Sequence, residues 1–95
     1  MILRWTESAL LDLHAIEAYI GLRSSRYARS FVERVVSRAE ILVSQPFSGV
    51  SVPEFDDPAI REVLVVPYRI IYRVLPAEVQ VIAVVHGARN LPPIG

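Results

Sequence analysis

The chain has no cysteine, which removes disulfides, zinc–thiolate sites and thiol nucleophiles together and fits a reducing compartment. It has no lysine either: its ten basic side chains are all arginines, set against ten acids. All-arginine usage leaves planar, bidentate donors suited to carboxylate, phosphate or aromatic partners. The formal net charge is zero and the pI is about 6.7. Domains that live on nucleic acid usually carry a basic excess, because phosphate contacts dominate that affinity. The balance therefore argues against direct nucleic-acid binding and for a protein partner. No apolar stretch approaches the roughly 18 residues of a membrane span, and no basic-then-apolar leader opens the sequence. The expectation is a soluble cytoplasmic protein with no membrane contact.

Repeats, low-complexity tracts and linkers are also missing, so residues 1–95 read as a single domain. With 53% hydrophobic residues, one ordinary core is within reach without a metal or disulfide. Nothing in the composition calls for a cofactor.

What is present falls into a helical part followed by strands. Ile2-Leu3-Arg4-Trp5 is a short strand candidate, and Thr6 stands where an N-cap belongs, with Glu7 favoured in the first turn. Ala9, Leu13, Ile16 and Ile20 then form one apolar stripe on a helix, with Asp12, Glu17 and Arg23 off it. Gly21 and Ser24-Ser25 mark an end and a restart. A second helix carries Ala28, Val32, Val35, Ala39 and Leu42, broadened by Phe31, Val36 and Val43. The short connection makes the two an antiparallel αα-hairpin. Gln45-Pro46-Phe47-Ser48-Gly49 stops it, and a loop rich in Pro, Asp and Ser runs to about Pro58. Three strands follow, Ile60 to Val66, Tyr68 to Leu75 and Val79 to His86, joined by Pro67 and by Pro76-Ala77-Glu78, which favours antiparallel neighbours. The predicted fold is α+β in the order β-αα-βββ, a helical hairpin on one face of a small, twisted, mostly antiparallel sheet.

The polar chemistry concentrates in the last third. Alternation along the middle strand puts Tyr68, Ile70, Tyr72 and Val74 on one side and Arg69, Ile71 and Arg73 on the other. Arginines on that second face must be solvated or paired, and this face is the expected place for function. The final strand breaks into His86-Gly87-Ala88-Arg89-Asn90-Leu91-Pro92, a basic, glycine-containing segment at the sheet edge.

Three segments carry a family likeness. They are the first-helix pattern Ala9-x-x-Asp12-Leu13-x-x-Ile16-x-x-Tyr19-Ile20, the strand Tyr68-Arg69-Ile70-Ile71-Tyr72-Arg73-Val74, and the ending Val81-Ile82-Ala83-Val84-Val85-His86-Gly87-Ala88-Arg89-Asn90-Leu91-Pro92. In this order they resemble the ParE/RelE superfamily of bacterial type II toxin–antitoxin toxins, over essentially the whole chain. The resemblance implies a toxin held inactive by a cognate antitoxin, in a hetero-oligomer. RelE-like members are ribosome-dependent messenger-RNA endonucleases, and ParE-like members, often called plasmid-stabilisation proteins, inhibit DNA gyrase without a catalytic residue. Arg69 and Arg89 stand where the nuclease branch would put its strand and terminal arginines. The absence of lysine, and of Tyr or His after His86, departs from that branch, because cleavage by a ribose hydroxyl needs a base, an acid and charge neutralisation. The ending resembles the ParE branch. The expectation is a non-enzymatic gyrase inhibitor whose target interface uses Arg69, Arg73, His86 and Arg89. The rival is a ribonuclease with Arg69, Arg89 and His86 as phosphate clamp and acid/base, touching nucleic acid only through the ribosome.

Plainer roles stand beside these. Arg89 could pair with Glu62 or a terminal carboxylate, Arg69 and Arg73 could serve the fold or the antitoxin, and His86 could bond at a strand end. Gly87 would allow a positive φ or a close turn. His14 would face solvent, and Trp5 and Tyr19 would pack in the core or the hairpin.

Overall fold

A computed structural model describes residues 1–88. Arg89 and the tail 91–95 lie outside the described residues. Strand β1 (Ile2–Trp5) leads into Thr6, whose hydroxyl accepts the Ala9 amide proton at 3.1 Å and so caps helix α1 (Glu7–Gly21). The same hydroxyl donates to the Val81 carbonyl at 3.1 Å, fastening the cap to the sheet. Ser24 repeats the device, accepting from the Tyr27 amide at 3.1 Å to open α2 (Ser25–Ile41).

Four strands follow: β2 (Val50–Ser51), β3 (Ile60–Val65), β4 (Tyr68–Val74) and β5 (Glu78–His86). They build a five-stranded sheet in the order β1-β5-β4-β3-β2, antiparallel except for β1, which runs parallel to β5. The α+β class and the helical hairpin are as the sequence implies. The added element is β2, two residues inside the segment expected to be loop. Val50 and Ser51 pair with Glu62 and Arg61 and so extend the sheet by one short edge strand.

A β-bulge divides β5. Ile71 faces Ala83 and Tyr72 faces Val81, so Ile82 is the extra residue, and the side-chain phase of the strand inverts there. Val79 and Val81 before the bulge and Val84 after it all enter the core under the helices, with Leu13, Phe31, Val35, Leu42, Ile70 and Tyr72. Ala83 and Val85 turn to the opposite face.

That opposite face is not the open surface the alternation suggests. Val52, Ile60 and Ile71 form a second buried cluster there, packed by Phe55, Ile82, Ala83 and Val85. The segment after β2 lies over the sheet as a roof, because its two apolar side chains, Val52 and Phe55, have a complementary apolar patch beneath them.

Asp12 closes the other edge. β1 ends at Trp5, opposite Val81, and beyond it the Val84 amide donates 3.0 Å to the Asp12 carboxylate. A helix side chain thus takes the place of a missing strand. Asp12→Ala is expected to cost about 2 kcal/mol, the range for a hydrogen bond to a charged acceptor plus a stranded amide. Urea unfolding measures it, and a loss below about 0.5 kcal/mol would show that water serves Val84 equally well.

Candidate functional site

Arg69 lies on β4 with 6% of its surface exposed. Its guanidinium is held by Glu54 from the roof segment, at 3.2 Å and 2.8 Å through two nitrogens, and by Glu62 from β3 at 2.8 Å. The hydrogen bonds to Glu54, opposed by burial and joined by the bond and charge of Glu62, raise its pKa above the ordinary arginine value. The requirement that an arginine on this face be solvated or paired is met by pairing, with one carboxylate from a loop and one from the neighbouring strand.

Among the described residues, Arg73 stands away from it, and His86, although opposite the neighbouring Tyr68, turns to the other face of the sheet. Arg73 sits four residues along the strand, about 13 Å away, half-buried and opposite Ile60 and Gln80. His86 pairs with Tyr68 at the far end of β5, exposed, with the rings edge-on at 5.6 Å. Its Nδ1 accepts the Ala88 amide proton at 3.2 Å. Gly87 donates its amide to the Pro67 carbonyl at 2.7 Å, and a Cβ there would stand 3.0 Å from that oxygen. Its φ is not positive, so close approach is the reason for glycine. Glu62, one of the plain partners expected for Arg89, is bonded to Arg69, while Arg89 itself lies outside the described residues. His14 is exposed, as expected, and Trp5 is partly buried against the main core.

The surface features that sequence reasoning missed lie on the helices. Tyr19, expected to pack inside, is 71% exposed. Leu11, Ala15, Ala18 and Leu22 recur at steps of four, three and four on the side of α1 opposite Ala9, Leu13, Ile16 and Ile20, and all four are exposed. Leu22 reaches 83%. Where this stripe meets the hairpin tip, a cleft of about 470 Å³ is lined by Tyr19, Ile20, Leu22, Arg23, Ser24 and Tyr27. A helix apolar on two opposed sides is built to be covered on both. The spacing was available in the sequence as a second period beside the first. At the other side of the molecule β2 covers only two residues of β3, and Leu64 and Val66 beyond them are exposed, a short open edge for strand addition.

A sequence profile for the ParE toxin of the type II toxin–antitoxin system, parDE, matches residues 3–91. The chain belongs to the ParE toxin family. Toxin RelE2 of Caulobacter vibrioides is 36% identical over 86 residues, spanning 90% of this chain and 93% of that protein. The solved structure of a chromosomal ParDE toxin–antitoxin system from P. aeruginosa matches with a TM-score of 0.74 at 28% identity, covering 90% of this chain and 95% of that one. The resemblance carried by the first helix, the Tyr-Arg strand and the final strand thus extends to the three-dimensional fold. As a toxin of a type II pair, the protein has an antitoxin partner. Among the described residues no helix of the toxin is long and apolar enough to cross a membrane.

Proposed function

We propose that this toxin acts as a binding protein that inhibits DNA gyrase in the cytoplasm, and that a cognate antitoxin neutralises it. The observation that supports a binder over a nuclease is the state of Arg69. A phosphate clamp needs a positive charge that meets the substrate. Here the guanidinium lies under the roof segment, between two carboxylates. His86, the other nuclease candidate among the described residues, accepts a backbone amide at Nδ1 and, paired with Tyr68, lies on the opposite face of the sheet from Arg69. Among the described residues an acid, a base and a clamp do not converge there, whereas the exposed apolar side of α1 and the hairpin-tip cleft offer contact area to protein partners.

The competing reading, a RelE-like ribosome-dependent messenger-RNA endonuclease, draws on the name of the Caulobacter relative. A gyrase supercoiling and cleavage assay with toxin freed from its antitoxin separates the two. The expected result is lost supercoiling with trapped, cleaved DNA, reversed when antitoxin is added back. Unimpaired supercoiling at a large molar excess of folded toxin would discard the gyrase reading and send the test to translating messenger RNA.

A further inference from the structure

The zero net charge is a sum over two unlike parts. Arg23, Arg26, Arg29, Arg34 and Arg38, half of all the basic residues, lie on α2 and the turn before it, with only Glu33 and Glu40 as acids in that stretch. The rest of the chain carries the matching acidic excess. None of these five arginines makes an ion pair among the described residues, where the pairs are Arg4 with Glu78 and Arg69 with Glu54 and Glu62. The positive charge on α2 therefore exceeds the acids of the same stretch by three and is not ion-paired among the described residues.

Two of the five, Arg34 and Arg38, share one flank of the helix. Ser30, Glu33, Arg34, Ser37, Arg38 and Ile41 line a shallow groove of about 460 Å³. The Arg34 guanidinium is held over the rings of Tyr27 and Phe31, at 5.9 Å and 5.5 Å, a geometry that restrains it without using its donors. Nη1 of Arg38 is buried and has no hydrogen-bond acceptor among the described residues. A buried donor left in that state costs free energy, which an anionic oxygen would recover once the Arg38 side chain swings outward to meet it. Two guanidiniums four residues apart stand about 6 Å apart along the helix axis, so they can engage separate anionic groups, with the hydroxyls of Ser30 and Ser37 beside them as further donors.

We propose that this flank of α2 binds the phosphate backbone of duplex DNA. Arginine and serine are donors that proteins commonly turn to phosphate oxygens. A carboxylate-bearing peptide fits less well, because protein partners need apolar anchors in pockets and the groove holds only Ile41. The exposed flank of a helix can follow the rim of the major groove of B-form DNA, about 12 Å wide, whereas A-form RNA narrows and deepens that groove. This contact is separate from gyrase inhibition and needs no gyrase.

The test is fluorescence anisotropy of a labelled DNA duplex of about 20 base pairs with antitoxin-free toxin and no gyrase, beginning near 50 mM salt, since backbone binding weakens steeply with salt. The expected log–log salt slope is about −2 to −3, that of two or three neutralised phosphates. R34Q/R38Q is expected to weaken binding at least about tenfold and to flatten the slope by about 2. E33Q, which removes the one acid of the groove and leaves its arginines, is expected to tighten binding about threefold. No binding at the lowest salt, an R34Q/R38Q slope equal to that of the parent, or tighter binding to an RNA duplex or to polyglutamate would overturn the proposal. Should circular dichroism show that R34Q/R38Q does not fold, E33Q decides, and affinity unchanged by it counts against the proposal. Because gyrase is absent from the assay, its outcome and that of the supercoiling assay are independent.

Discussion

Arg69→Met is expected to remove about 3–5 kcal/mol of folding stability, the range for breaking a buried ionic group by deleting one side of it. The cation is nearly inaccessible, and its side chain and those of Glu54 and Glu62 keep only 8%, 21% and 13% of their surface. With the guanidinium gone, two carboxylates face each other across its former volume without the cation that both now bind. The damage is expected to spread to the roof segment, because Glu54 is the polar tie that complements the apolar seating of Val52 and Phe55 over Ile71. Neutralising the acids as well tests the reasoning. R69M/E54Q/E62Q is expected to regain most of the loss, since uncharged replacements of a buried ionic cluster are often tolerated. Denaturant unfolding of the parent, single and triple variants measures both steps. A single-variant loss under about 1 kcal/mol would place the cluster among surface pairs of little consequence and reopen Arg69 as a residue available to a target.

Gly49→Ala is the second large effect. Gly49 is buried between β2 and the end of α2, and a Cβ there would fall 2.5 Å from the Glu62 carbonyl oxygen, 2.5 Å from the Tyr72 hydroxyl and 3.0 Å from Tyr72 Cε1. None of these atoms is free to retreat. The Glu62 backbone is paired with Val50, and the Tyr72 hydroxyl accepts from the Gly49 amide at 3.0 Å while donating to the Pro46 carbonyl at 2.7 Å. The expected cost is about 3 kcal/mol, a fall in Tm of about 12–24 °C for a domain of this size. A melting point within about 4 °C of the parent would mean that the turn shifts easily and that this packing is loose. The same phenol adds a pH signature. Burial raises the pKa of Tyr72 above its ordinary value, against the lowering effects of the Gly49 bond and of Arg61 and Arg38. Its contribution is complete below the unfolded value near pH 10 and disappears as pH climbs through the higher folded value.

The helices were legible because local signals agreed: Thr6 and Ser24 both cap, and the apolar steps on each helix match the buried faces. The strands from Ile60 onward were legible for the same reason. The bulge at Ile82 was not, since Val81 to Val85 is apolar throughout and either register looks alike until Val84 must meet the helices. β2 was hidden because two residues carry no period. Pairing of Arg69 followed from its place on the strand, but Glu54 comes from a loop whose path depends on Val52 and Phe55 finding the outer sheet face. The basic flank of α2 is hidden in a whole-chain charge that acids elsewhere cancel, and the outer stripe of α1 lies beside a first stripe that already accounts for a helix.

Synthesis runs in an order that this sheet cannot use. β1 is made first, yet Leu3 and Trp5 pair with Val79 and Val81, and the Thr6 hydroxyl and Asp12 carboxylate await backbone groups 75 and 72 residues further on. Contacts of such separation form late and slowly. A ribosome that has released only the hairpin holds two helices with apolar sides and no sheet to bury them against. The folded toxin therefore comes into being only with the emergence of Val79 to Val84, and the partly made chain is a client for protection before it is a poison.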